Sequence, residues 1–254
     1  MRTNLFIFLF VVMTNVSAQT AYKKGEVLKY KISYSNFLSA GNATLEVKET
    51  FHNGELAHHI IGKGETTGVI GWFFKVRDKY QSYIDKPSLL PYRFIRQIDE
   101  GGHTKDKEIL FDQVNRTAKV INHKKKTEET YTTNAEVQDM ISTLYYLRNY
   151  DISTMKDGDE IALTMFFDQT NYNFKLRLLG RETIKTKFGK VKAVKFRPIV
   201  QAGRVFKEEE SLTVWVSDDK NKIPLKLKAS LAVGSMNGDL DGYKGLANPF
   251  PIIF

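Results

Sequence analysis

Val27-Leu28-Lys29-Tyr30-Lys31-Ile32-Ser33-Tyr34 puts Leu28, Tyr30, Ile32 and Tyr34 on one side of an extended chain and Val27, Lys29, Lys31 and Ser33 on the other. Successive side chains of a strand point to opposite faces, so the stretch predicts a half-buried strand with an apolar, aromatic inner face. Ala43, Leu45 and Val47 alternate with Thr44, Glu46 and Lys48 in the same way, and the intervening Ser39-Ala40-Gly41-Asn42 reads as a turn. The two runs together predict an opening hairpin.

The period of two continues along most of the chain. Asn53-Gly54 is a strong hairpin signal leading into Ala57 to Gly64. Trp72 to Ile84, Tyr92 to Ile98 and Glu108 to Phe111 extend the meander, with Gly101-Gly102 as punctuation. After Asp157-Gly158-Asp159 the alternation resumes over Ile161 to Phe167, Tyr172 to Leu179, Thr183 to Phe188 and Val191 to Phe196. Leu212 to Val216, Pro224 to Ala229 and Ser230 to Val233 close the sheet. One segment departs from this pattern: Val137, Met140, Ile141, Leu144 and Leu147 have helical spacing, and Thr133 with Glu136 fits a capping box, which predicts a helix over 134–149. The predicted fold is mainly β (α+β), a large curved antiparallel sheet or half-barrel with one amphipathic helix packed in its concavity.

The first residues carry an address. Arg2, the apolar run Leu5 to Met13, and Val16 and Ala18 before Gln19 form a secretory signal peptide pattern with cleavage after Ala18. A membrane span needs about 20 apolar residues, roughly twice this run. No cysteine follows for lipidation, and no later stretch has spanning length. These features predict a periplasmic product with no transmembrane segment after cleavage; an extracellular or outer-membrane-associated product is the alternative. The organisation expected is residues 1–18 as signal and 19–254 as one β-rich domain, or as two β halves joined through helix 134–149.

The 254 residues carry a formal charge of +9, and removing 1–18 takes away Arg2 and leaves +8. The basic residues are spread along strands, and no basic helix or base-stacking motif accompanies them, so nucleic acid is not an expected partner. Attraction to an anionic envelope surface is consistent with the charge. With no cysteine, the fold must be held by its core.

Candidate chemistry is sparse. Gly62-Lys63-Gly64-Glu65-Thr66-Thr67-Gly68 lacks the Gly-Lys-Ser/Thr ending and the helix of a phosphate loop. His58 and His59 are neighbours on a predicted strand and point to opposite faces, so they cannot share a metal. Asp218 and Asp219 read as turn formers. Asn237, Asp239 and Asp241 have the first spacings of a calcium loop, but Asn248 stands where a ligating Glu belongs, and a Gly/Asp turn is the simpler reading. No cofactor is expected. The C-terminal Phe254 fits an outer-membrane barrel strand, but Pro249 and Pro251 argue against one.

Aromatic residues are the remaining feature. Most should be core, but a sheet that did not close over its helix would expose some as an apolar pocket; Trp72, Phe74, Tyr80, Met140, Leu144 and Tyr145 are the candidate lining.

Gly25 to Tyr30, the Ala40-Gly41 turn, Asp139 to Arg148 with Leu144-Tyr145-Tyr146-Leu147-Arg148, Gly180-Arg181-Glu182 through Phe188-Gly189 to Pro198, and Trp215 to Asp219 with Pro224 resemble the bacterial exported family tagged DUF 3108. The resemblance spans nearly the whole mature chain and implies an envelope protein of a Gram-negative bacterium, with no activity or catalytic residue to carry over. The Trp215 to Pro224 hairpin and the sheet-around-helix plan are also similar to periplasmic carriers of the LolA and LolB type, which hold acyl chains.

The first functional expectation is a non-catalytic binding or carrier protein with an apolar pocket for a lipid-like or other hydrophobic ligand. The second is an envelope scaffold or adaptor that meets another envelope protein through its basic sheet surface. The third is a hydrolase of an envelope polymer using carboxylates from separate strands, such as Asp78, Asp85 or Asp112.

Overall fold

The computed structural model describes residues 20–35, 37–199, 212–231 and 234–253, so the predicted signal peptide lies outside the described residues. Among the described residues there are fifteen strands and two helices. In chain order they are β1 (Val27–Tyr34), β2 (Leu38–His52), β3 (Glu55–Thr66), α1 (Gly68–Phe73), β4 (Arg77–Asp85), β5 (Pro91–Glu100), β6 (His103–Asp112), β7 (Thr117–Asn122) and β8 (Thr127–Thr132). They continue as α2 (Met140–Asn149), β9 (Glu160–Phe167), β10 (Thr170–Thr186), β11 (Gly189–Ile199), β12 (Leu212–Ser217), β13 (Pro224–Ser230), β14 (Ser235–Lys244) and β15 (Ile252–Ile253).

All strands belong to one antiparallel sheet, ordered β8-β7-β6-β5-β4-β3-β2-β1-β14-β13-β12-β11-β10-β9, with β15 beside β11. The chain order is kept from β2 to β8 because each tight turn returns the chain to the strand just laid down. At the first of these turns Asn53 (φ 51°) and Gly54 (φ 84°) both adopt the left-handed region that a two-residue hairpin demands. The sheet is not closed by strand pairing, but its two edges come together. Residues 133–139, between β8 and α2, carry Gln138 into a parallel bridge with Met165 of β9, and Asn171 Nδ2 donates to the Thr132 carbonyl at 3.0 Å.

Helix α2 lies in the resulting concavity. Ile141 and Tyr145 pack with Val47, Ile60, Ile84, Phe94, Ile109, Phe111 and Val120, from strands across the N-terminal half of the sheet, and with Phe166 of β9. Burial of each such large side chain contributes about 1.5–3 kcal/mol, enough for a ten-residue helix that would not persist alone. Two smaller clusters, around Leu28 with Leu225 and Leu240 and around Leu178 with Val194 and Phe196, hold the C-terminal half.

Several sequence expectations change. Ser39-Ala40-Gly41-Asn42, expected as a turn, lies within β2, and the strands expected on either side of Gly180 are one strand, β10. The helix begins at Met140 rather than 134, because Asp139, not Thr133, is its cap: its Oδ1 accepts from the Ile141 and Ser142 amides at 2.7 Å, and Ser142 Oγ accepts from the Asp139 amide at 2.8 Å. Residues 134–139 are drawn out to the β9 edge instead. Trp72 and Phe73 lie in the short helix α1 rather than in a strand. Asn237, Asp239 and Asp241 lie along β14 rather than in a turn; Asn237 and Asp239 pair with β1 on one side and β13 on the other, and Asp241 sits at a register shift against β1.

The Asp139 cap predicts a pH effect. Burial pushes its carboxyl up to about 6 from 3.8, against the hydrogen bonds from Ser82, Ser142 and Ile141. Between those values the native state keeps a proton that the unfolded chain has released, so the contribution of this group falls as pH rises, by about 3 kcal/mol for a two-unit shift. Burial pulls His58 down to about 4 from 6.5, so its contribution rises with pH over an overlapping window. The two slopes oppose each other. Asp139→Asn removes the first alone, and the stability of the variant, measured by urea denaturation, should rise from pH 4 to pH 6.5 while the parent stays nearly flat. Parallel profiles would contradict this assignment.

Candidate functional site

Connections of an up-and-down sheet fall alternately at its two ends. One end, with Asn53-Gly54, residues 86–90 and the Asp218 to Lys222 turn, is plugged by α2 and by the segment that precedes β1. Here Glu26 and Arg148, both buried, form a two-pronged ion pair: Nη1 to Oε1 at 2.5 Å and Nη2 to Oε2 at 2.8 Å. Arg148 also donates from Nε to the Asn221 carbonyl at 3.0 Å and from Nη2 to the Ala21 carbonyl at 3.1 Å. The rings of Tyr22 and Tyr145 lie against the guanidinium, 5.5 and 5.1 Å from centroid to Cζ. Burial opposes the Arg148 charge, yet the Glu26 hydrogen bonds and charge outweigh it and raise the pKa. Burial also raises the Tyr22 and Tyr145 hydroxyls. The Tyr22 and Tyr145 hydroxyls are buried without a hydrogen-bond partner, and the ion pair fastens the helix to the start of β1 and to the Asp219 turn.

The opposite end is the mouth of the half-barrel. It gathers the β1–β2 turn, α1, Gly101-Gly102, residues 123–126 and the Asp168-Gln169 turn. Inside it, the face that carries Phe94 and Ile98 on β5 also carries Arg96, and the face that carries Ile109 and Phe111 on β6 also carries Lys107. The Arg96 side chain is 12% exposed and that of Lys107 20%. Both cations are satisfied from across the concavity. Asp168, at the tip of the β9–β10 hairpin, accepts from Arg96 Nη1 at 2.8 Å and sits 3.8 Å from Lys107 Nζ. The neighbouring Phe167 ring lies 4.6 Å from the guanidinium carbon. Arg96 Nε is buried and has no hydrogen-bond partner.

The hairpin tip therefore acts as a cover. Between it and the sheet is a crevice of about 10 Å³ lined by Phe94, Arg96, Lys107, Ile109, Val120, Phe167, Asp168 and Gln169. Asp168 (φ 43°) and Gln169 (φ 69°) both hold left-handed conformations without a glycine, which costs of order 1 kcal/mol or more for each. On the outer face of the sheet, opposite the helix, a more open groove of about 480 Å³ runs along Asn42, Thr44, Lys63, Glu65, Arg77 and Lys79.

The structure divides the pocket residues expected from sequence. Tyr80, Leu144 and Tyr145 meet in the cluster around α2, where Tyr145 is fully buried. Met140 is 37% exposed at the helix start, and Trp72 (86%) and Phe74 (52%) stand on the outside of α1. Of the three carboxylates, Asp85 bonds the Ser88 amide and hydroxyl, and Asp112 bonds the Asn115 amide and side chain. Asp78 lies beside the mouth; burial first, and then the Glu100 carboxylate, hold it above the usual carboxylate range. Asp239 and Asp241 face Lys226 and Lys187 at 4.0 and 2.6 Å, and Asn237 is buried. Among the described residues no group of three or more His, Asp or Glu is placed to hold a metal ion, and no helix is long and apolar enough to cross a membrane.

Arg96, Lys107 and Asp168 were missed in the sequence, although two of them carried a signal. Phe94-x-Arg96-x-Ile98 and Lys107-x-Ile109-x-Phe111 each place a cation in the apolar register of a strand. A side chain in that position is either at the end of the core or in a site. Nothing local marks Asp168, which meets them only through the fold.

No curated protein matches the chain. Among solved structures it is similar to a β-barrel-like protein of the domain of unknown function DUF1849 from Brucella abortus, with TM-score 0.55 and 9% identity over 87% of this chain and 97% of that one. It also matches a candidate lipoprotein from Parabacteroides distasonis (TM-score 0.33, 11% identity, 89% and 97% covered). A candidate exported protein with a YmcC-like fold from Bacteroides fragilis matches as well (TM-score 0.31, 6% identity, 89% and 98% covered). The first supports a barrel-like fold and nothing further. A family model described as Protein of unknown function (DUF3108) matches residues 29–241, most of the strands above, and the chain belongs to that family.

Proposed function

We propose that the protein is a non-catalytic binding or carrier protein of the cell envelope, taking a lipid-like molecule with an anionic head at the mouth of its half-barrel. The observation that carries this reading is the pair of cations, Arg96 and Lys107, set into an otherwise apolar inner face and held by one carboxylate from the tip of the β9–β10 hairpin. A carboxylate or phosphate head replaces Asp168 on the two cations, and the unpartnered Arg96 Nε supplies a further donor. The apolar part of the ligand lies against Phe94, Ile109, Val120 and Phe167 in the space the tip vacates. The secretory pattern of residues 1–18 supports an exported, periplasmic product, and the family is one of unknown function, so the reading rests on the mouth itself.

The test is titration of the delipidated mature protein with cis-parinaric acid, followed by its fluorescence. Saturable binding is expected, with Arg96→Gln/Lys107→Gln at least tenfold weaker, which corresponds to about 1.4 kcal/mol. Laurate should compete and dodecanol should compete poorly. Absence of saturable binding, or equal binding by a variant with unchanged circular dichroism, would overturn the reading.

A further inference from the structure

We propose that the rim of the mouth docks on an anionic lipid bilayer through α1 and the adjoining β1–β2 turn. Large apolar side chains exposed singly are ordinary. Here Phe37 (83%), Trp72 (86%), Phe73 (85%) and Phe74 (52%) are exposed together. The two segments abut, since α1 packs on β2 and the Thr67 amide donates to the Ala40 carbonyl at 3.1 Å.

The display is built rather than loose. The Phe74 amide closes α1 on the Ile70 carbonyl at 2.8 Å, and Thr66 Oγ1 both donates to the Phe74 carbonyl at 3.0 Å and accepts from the Val76 amide at 2.9 Å. Phe74 lies so close to Gly101 that a Cβ there would stand 2.7 Å from the ring. The chain is therefore held so that Trp72 and Phe73 face away from the protein.

Charge and shape select the occupant. Lys75 and Arg77 flank the aromatics, and Lys124, from the basic turn Lys124-Lys125-Lys126, reaches Thr104 beside the Gly101-Gly102 turn that supports Phe74. The connections at the opposite end mix the two signs, with Lys156 beside Asp157 and Lys220 and Lys222 beside Asp218 and Asp219. The described connections of the aromatic end, by contrast, carry an excess of cations, the combination that an anionic membrane surface attracts. A partner groove would recognise a stripe at i, i+3, i+4 and i+7, whereas Trp72, Phe73 and Phe74 are consecutive and diverge around the turn. Diverging rings suit a fluid interface, where Trp settles at the level of the headgroups. The inference stands apart from the ligand reading, although docking would bring the mouth to the bilayer.

Two tryptophans, Trp72 and Trp215, make the test direct. In the mature protein with Trp215→Phe, Trp72 is the only indole left. Phosphatidylcholine vesicles containing phosphatidylglycerol should shift its emission to the blue, brominated lipid should quench it, and added salt should weaken both effects. Trp72→Ser/Phe73→Ser should lower cosedimentation of the otherwise unaltered mature protein at least tenfold with circular dichroism unchanged. No blue shift, or equal cosedimentation of the double variant, would overturn the proposal. So would a Trp72-dependent complex with an envelope protein in the absence of vesicle binding. Vesicle binding without cis-parinarate binding would leave docking intact and remove the ligand reading; the converse would remove docking alone.

Discussion

Arg148→Met will lower the unfolding free energy by about 3–5 kcal/mol, because it leaves the buried Glu26 carboxylate without its counter-charge. Neither side chain of the pair is more than 2% exposed, so water cannot replace the missing guanidinium. The Asn221 and Ala21 carbonyls lose their donors in the same step, and each buried acceptor left unsatisfied adds about 1–3 kcal/mol. Proteins of this kind have about 5–15 kcal/mol in total, so the variant should stand near the edge of folding. Glu26→Leu/Arg148→Met discriminates charge from packing. Removing both charges should recover the part due to Glu26 but not the part due to the two carbonyls. A urea midpoint in Arg148→Met within about 1 kcal/mol of the parent, at unchanged slope, would contradict the assignment of this pair as the clamp of the closed end.

Phe94→Ala is expected to cost about 3–5 kcal/mol, the ordinary range for deleting a buried phenyl ring. Phe94 is 2% exposed, and its ring centroid is 6.4 Å from that of Tyr80. The deletion also enlarges the crevice under the hairpin tip, whose other apolar walls are Ile109, Val120 and Phe167. The ring's own place, among the apolar side chains of the cluster around α2, takes small apolar molecules once vacated, so benzene should raise the melting temperature of Phe94→Ala and leave the parent unmoved. A loss below about 1 kcal/mol would mean that the ring is not packed as described. Full loss without any benzene effect would mean that the tip collapses into the space.

The fold was largely legible because its signals are local. Alternation from Val27 to Tyr34, the Asn53-Gly54 turn and the helical spacing after Val137 each follow from period or turn chemistry, and each is found in the structure. The start of α2 was not legible. Thr133-x-x-Glu136 and Asp139-x-x-Ser142 are both capping patterns, and the choice between them is made by the Gln138 bridge to β9, a contact between distant segments. The helical α1 was hidden for a related reason. Its Trp-Phe-Phe run has strand propensity, and no local rule distinguishes an aromatic in the core from one standing outside it.

The site was less legible than the fold. Glu26 and Arg148 lie in separate stretches that carried the family resemblance, and Asn221 lies between Asp219 and Pro224 of a third; their meeting explains why such dispersed motifs belong together, since they fasten one buried junction. Those motifs report on stability. The mouth residues Arg96 and Lys107 lie outside them, and their cations show only as irregularities in the apolar register of β5 and β6. Asp168 becomes visible only once the β9–β10 hairpin is seen to reach across the concavity.

The central claim is that an anionic head displaces Asp168 from Arg96 and Lys107. It is tested most directly by a crystal structure of the mature protein with laurate. The account predicts the laurate carboxylate within hydrogen-bonding distance of the Arg96 guanidinium, its chain along Phe94, Ile109 and Val120, and the Asp168 carboxylate withdrawn from its present 2.8 Å contact. Laurate bound elsewhere, with the Asp168 to Arg96 contact intact, would contradict it.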